Sequence, residues 1–140
     1  MVTIDATGLI AGRLASYAAK QALLGKTVMI INAEKAVISG DVRRTINEAK
    51  YKKFVRGVPR KGPYYSKMPD RYLRRIIRGM LPKTVRGRTA FGRIKCFIGT
   101  PAEIGGEAIT LPEANASKLP NLQRITIGKL CTELGGKHYG

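Results

Sequence analysis

The chain has 140 residues, 44% of them hydrophobic, and a formal net charge of +17, which suits one domain with a substantial core and excludes a disordered basic tail. Two cysteines, Cys96 and Cys131, make no disulfide framework, and each lies on an apolar pattern that suggests a buried thiol. No segment is both apolar and long enough to cross a membrane, and the opening MVTIDATG lacks the charged-then-apolar form of a secretory signal, so a cytoplasmic location is expected.

In chain order, Val2 to Asp5 reads as a short strand, with Thr7 and Gly8 as a turn and helix start. Ile10, Leu14 and Ala18 then recur at helical spacing, and Ala11, Ala15 and Ala22 thicken the same side. Gly25 is placed to end that helix in a left-handed conformation. Thr27 to Ala33 is β-branched and nearly all apolar, as expected of a strand covered on both faces. Strand, helix, strand in this order implies a βαβ unit with parallel pairing.

A second helix is expected from Asp41 to Phe54, with Val42, Ile46 and Ala49 inward. Val55 to Pro69 carries three prolines and two glycines among cations and reads as an extended basic loop around Tyr64 and Tyr65. A third helix should run from Asp70 to Met80 and a fourth between Thr84 and Gly92, followed by a strand from Ile94 to Ile98. Residues 99 to 120, rich in Gly, Pro and small polar side chains, read as an irregular excursion with at most a short strand. Thr126 is a cap for a last helix in which Ile127, Leu130, Cys131 and Leu134 form one stripe, stopped by Gly135.

The charge is confined to one span. Residues 43 to 95 hold 18 Lys/Arg against only Glu48 and Asp70, a net of +16, whereas residues 1 to 42 and 96 to 140 are close to neutral. Such one-sided charge repels itself in a compact state unless a polyanion neutralises it. On the third helix Arg71, Arg74, Arg75 and Arg78 fall at i, i+3, i+4 and i+7, opposite Tyr72, Leu73, Ile76, Ile77 and Met80. A cationic helix face is most often merely solvated. Here Arg outnumbers Lys, acidic partners are missing and the cations continue on both flanks, and the planar guanidinium fork suits phosphates and base edges. Gly79, Gly87 and Gly92 interrupt a helical region at a cost of about 1 kcal/mol each relative to Ala, a cost that close approach of a backbone or a nucleic-acid sugar would offset, although Gly79, just before MLP, equally reads as no more than the end of a helix. Tyr64 and Tyr65 are candidates to stack on unpaired bases, or simply to pack the loop.

Catalytic chemistry finds no support. Gly25, Lys26 and Thr27 mimic a phosphate-binding loop, but Lys20 stands where that motif needs glycine, and the helix precedes the strand instead of following it. The glycines of GLIAGR do not make a dinucleotide fingerprint. His138, the only histidine, lies at the extreme C-terminus, and with two cysteines it makes neither a triad nor a zinc site. No metal, cofactor or small-molecule substrate is expected.

The stretches GLIAGRLAS (8 to 16), IINAEKAVISG (30 to 40), RRIIRGMLPKTVRGRTAFGRIKCFIGTP (74 to 101) and ITIGKLCTELGG (125 to 136) resemble the L13 family of large-subunit ribosomal proteins, in its archaeal and eukaryotic branch. The resemblance implies one α/β domain over residues 1 to 140, of three α/β/α layers around a small, largely parallel four-stranded sheet, with a basic loop and a helical extension. It also implies a non-catalytic protein that binds large-subunit rRNA early in assembly, beside neighbouring large-subunit proteins. The rRNA-facing residues would be Arg60, Lys61, Arg74, Arg75, Arg78, Lys83, Arg86, Arg88 and Arg93, joined on the same basic span by Lys52, Lys53, Arg56, Tyr64, Tyr65 and Arg71. On this reading, reversing Arg74, Arg75 and Arg78 to Glu leaves the fold intact but abolishes incorporation into subunits. The rivals are a non-ribosomal RNA- or DNA-binding regulator, for which no groove-reading helix is evident, and a nucleotide- or RNA-processing enzyme, which needs an acid, base or metal cluster that is missing.

Overall fold

The structure is a computed structural model describing residues 1–104 and 106–137. In chain order its elements are β1 (Val2–Asp5), α1 (Ala11–Leu23), β2 (Val28–Ile31), β3 (Val37–Ser39), α2 (Val42–Lys50), α3 (Pro69–Met80), α4 (Val85–Gly92), β4 (Ile94–Cys96), β5 (Arg124–Thr126) and α5 (Ile127–Glu133). The β-branched runs at 2 to 5 and 28 to 31 pair in parallel, and β4 adds to the far side of β2, giving the order β1-β2-β4. Three strands therefore form the sheet, and in the place of a fourth, Ile109 makes one parallel bridge to Ile4 on the free edge of β1.

Register decides which side chains meet. Val2, Ile4, Val28, Ile30 and Ile94 share one face of the sheet, and of these all but Val2 are completely buried. The other face carries Thr3, Asp5, Met29, Ile31 and Lys95. Covering is thinner there: Thr3 and Ile31 are buried, Met29 is half-buried and Lys95 is exposed. The expectation of a second strand enclosed on both sides holds for Val28, Ile30 and Ile31 but not fully for Met29.

α1 and α3 pack against each other and into the same core. The buried face of α1 is made of small side chains, Ala11, Ala15, Ala18, Ala19 and Ala22 around Leu14. Alanine costs no rotamer entropy and lets a neighbouring helix come close. α3 reaches that face with Leu73 and Ile77, both fully buried, each worth about 1.5–3 kcal/mol relative to exposure. α1 ends at Leu24, and Gly25 follows at φ +93°, a left-handed conformation in which a Cβ is strained.

α2 begins at Asp41, whose side chain accepts from the Arg43 amide at 2.9 Å, and runs on through a wider-wound π-type turn at Tyr51–Val55, so the helical path covers the expected 41 to 54. Thr84 caps α4 by accepting from the Gly87 amide at 3.4 Å, and Thr126 caps α5 by accepting from the Lys129 amide at 3.3 Å. The antiparallel pair β3–β5 was not anticipated. Each strand is only three residues long and its partner lies far away in sequence, so neither carries a periodic signal of its own. Residues 99–104 and 106–120 are irregular, with 3-10 turns at Pro112–Ala114 and Ala116–Lys118, yet the second stretch is tied down: Ala114 and Ala116 are buried, and Ile10 donates its amide to the Ala114 carbonyl at 2.7 Å. His138 lies outside the described residues.

Candidate nucleic-acid interface

The cations anticipated as one functional face fall into two groups. The first is spent on the protein's own carbonyls. Arg74 donates from Nε to the Ile94 carbonyl at 3.1 Å and from Nη2 to the Phe91 carbonyl at 3.4 Å, with its guanidinium 4.3 Å from the centre of the Phe91 ring. Arg75 donates from Nη1 to the Tyr64 carbonyl at 2.8 Å and lies 3.8 Å from the centre of the Tyr65 ring. Arg93 and Arg86 reach the last carbonyls of α1, at Ala22 and Leu23, at 3.3 and 3.5 Å. Lys53 reaches the Leu134 carbonyl, at the end of α5, at 3.1 Å. A helix C-terminus presents unpaired carbonyls and partial negative charge, so a cation there satisfies both. Burial and repulsion from Lys67 lower the Lys53 ammonium below its usual pKa.

The second group, Lys52, Arg56, Arg60, Lys61, Arg71, Arg78, Lys83 and Arg88, is exposed, and its side chains make no hydrogen bond or ion pair among the described residues. The ion pairs among the described residues, Arg44–Glu48 and Lys50–Glu133, use none of the anticipated cations in either group. The row of four arginines on α3 is thus not uniform: Arg71 and Arg78 are exposed, while Arg74 and Arg75 are half-buried staples. Reversing Arg74 to Glu would put a carboxylate against two carbonyls, so the triple reversal expected to leave the fold intact does not isolate a binding function. Arg71, Arg78, Lys83 and Arg88 are the positions that do.

Tyr64 and Tyr65 also divide. Tyr65 is half-buried under Arg75, whereas Tyr64 is 67% exposed and held in place by its hydroxyl, which donates to the Pro59 carbonyl at 2.9 Å. These side chains, with Ser66, Arg71, Arg74, Arg78 and Phe91, surround a hollow of about 580 Å³. Phe91, which was not among the expected site residues, forms part of that wall. An aromatic set among cations is the signal that would have found it. Two smaller hollows adjoin, one of about 340 Å³ across the Arg75–Tyr65 pair and one of about 500 Å³ toward Pro82, Lys83 and Arg88, and Arg78 borders all three.

The glycines separate in the same way. A Cβ at Gly87 would run into the Pro82 carbonyl, so glycine there lets the LP turn fold back onto α4. Gly79 and Gly92 face open space, and Gly79 borders two of the hollows. The thiols are inert by environment: burial pushes Cys131 and Cys96 up to about 12. No three of His, Cys, Asp and Glu among the described residues gather as a metal site, and no helix there is long and apolar enough to cross a membrane.

Fold and face together define an α/β protein with a parallel sheet, whose cationic surface its own carboxylates leave unneutralised. The chain belongs to the ribosomal protein L13 family, whose model matches residues 1–103. It is 47% identical over 136 residues to the large ribosomal subunit protein uL13 of Methanopyrus kandleri, covering 94% of this chain and 85% of that one. Against the proteins of the same name from Methanosarcina barkeri and Methanococcoides burtonii it is 46% and 44% identical, covering 98% of this chain and 99% of each. The family is one of structural, non-enzymatic ribosomal proteins. These relatives extend past residue 103, so the irregular segment and α5 are part of the likeness as well.

Proposed function

We propose that the chain is a structural constituent of the large ribosomal subunit in the cytoplasm, and that it binds large-subunit rRNA through α3, α4 and the basic loop before α3, supporting early assembly beside neighbouring subunit proteins. The observation that carries this reading is that the anticipated cations share no carboxylate among the described residues. A folded protein keeps so much unpaired like charge in one region most readily when a polyanion neutralises it.

The two groups of cations have complementary tasks. Lys52, Arg56, Arg60, Lys61, Arg71, Arg78, Lys83 and Arg88 displace counterions from RNA phosphates. With on the order of 6–10 such contacts, affinity falls by about 10³–10⁵ between 50 and 200 mM salt. Arg74, Arg86 and Arg93 tie α1, α3, α4 and β4 together through backbone carbonyls, Arg75 ties α3 to the loop at Tyr64, and Lys53 ties the turn after α2 to the end of α5. The free charges are therefore offered at fixed spacing, and binding fixes the arrangement of RNA segments instead of coating them.

Sedimentation of a native extract on a sucrose gradient, before and after a high-salt wash at constant magnesium, tests the proposal. Retention of the chain near one copy per large subunit is expected. Its absence from the subunit fractions before the wash would reject the ribosomal assignment.

A further inference from the structure

We infer that the largest hollow on this face is a slot for one unpaired nucleotide of RNA, its base stacked within and its flanking phosphates held by Arg71 and Arg78. The inference rests on the rRNA-binding reading above and deepens it, because a phosphate-tracking surface needs only charge.

The hollow offers more than charge. Its volume of about 580 Å³ falls within the range of about 300–1,000 Å³ usual for small-molecule sites. Two of its guanidiniums are held over aromatic rings, Arg75 at 3.8 Å from the centre of Tyr65 and Arg74 at 4.3 Å from that of Phe91, Arg75 donating once and Arg74 twice to backbone carbonyls. A guanidinium with one face on a ring keeps a second face for another flat group. Tyr64 adds an exposed ring, pinned through its hydroxyl to Pro59. Base stacking on aromatic side chains is a sequence-tolerant way to bind single strands, and an exposed ring already fixed in place loses little freedom on stacking.

Free charge is placed to match. Arg71 and Arg78 lie seven residues apart on α3, about 10 Å along the axis at 1.5 Å per residue, both exposed and without a protein partner among the described residues. The hollows on either side share Arg78, which gives a strand leaving the slot a continuous path. Duplex RNA cannot use such a slot, since its bases are stacked inside the helix and its deep groove does not admit side chains.

The test compares a single-stranded adenylate hexamer with a 12-base-pair RNA duplex, by fluorescence anisotropy across a salt series, on the full chain and its Tyr64→Leu, Tyr64→Phe and Arg78→Gln variants. Tyr64→Leu is expected to weaken hexamer binding by about 10-fold or more, leaving duplex affinity and the salt slope unchanged. Tyr64→Phe, which loses the Pro59 contact but keeps the ring, should retain most of the hexamer affinity. Arg78→Gln should weaken both ligands and lower the salt slope by about one. If Tyr64→Leu alters neither ligand, or both equally, while the wild type still binds RNA in a salt-dependent way, the slot is wrong and the rRNA-binding reading survives. If the wild type binds neither RNA, both fall.

Discussion

α1 and α3 pack against each other and share one core, yet they are built on opposite plans. α1 buries almost its whole inner face in alanine and carries only two charged residues, Arg13 and Lys20, on its outer side, with Arg13 donating to the Glu113 carbonyl at 2.9 Å. α3 buries just Pro69, Leu73 and Ile77 and carries four arginines on the rest of its surface. Small side chains on one helix let the other sit close with two large anchors, and those two anchors free the remaining positions of α3 for charge. A cationic face can thus be rigid because the alanine-lined side of a neighbouring helix does the packing.

The largest effect that sharpens this contrast is on binding. Changing Arg71, Arg78, Lys83 and Arg88 together to Glu should leave the circular dichroism spectrum and the thermal midpoint near wild type while abolishing salt-sensitive RNA binding. A collapsed spectrum would show that these residues hold the fold, erasing the distinction between the two groups of cations.

Next comes packing. Leu73→Ala should lower unfolding stability by about 2–5 kcal/mol in denaturant titrations, whereas Arg78→Ala, five residues along the same helix, should change it by less than about 0.5 kcal/mol. Comparable losses at both sites would mean the face is structural throughout. Glycine substitution gives a smaller and opposite pair of effects. Gly87→Ala must displace the Pro82 carbonyl and is expected to destabilise, while Gly79→Ala, open to solvent near the end of α3, should stabilise the free protein by up to about 1 kcal/mol. A loss of RNA affinity in the stabilised Gly79→Ala variant would place the ligand against that backbone.

The smallest effect lies in the neutral part of the molecule, at the end of β1. Burial alone would raise the Asp5 carboxyl, but hydrogen bonds from the Asn32 amide and from Thr7 hold it below its ordinary value. A depressed carboxylate contributes stability above its unfolded pKa and loses it as pH falls through the lower folded value. Thermal midpoints followed downward from pH 5 should therefore drop less steeply for Asp5→Asn than for wild type. An identical slope would remove Asp5 from the acid response.

Much of this was legible in one dimension. The βαβ start, the end of α1 at Gly25, the cap Thr126 and the amphipathic α3 each follow from local chemistry: glycine's freedom at positive φ, a hydroxyl that accepts an orphan amide, and an apolar period near 3.6. The excess of cations over acids in residues 43 to 95 needed only counting. What the sequence alone could not decide is how each cation is used. Arg71 and Arg74 are the same residue type on the same helix, and only the fold places the Phe91 and Ile94 carbonyls beside one and solvent beside the other. The β3–β5 pair, the Ile109 bridge and the hollow around Arg78 were equally hidden, because each joins residues far apart in the chain. Local chemistry determines which elements form and where they stop, whereas the environment of an individual side chain is set by long-range packing that no short window contains.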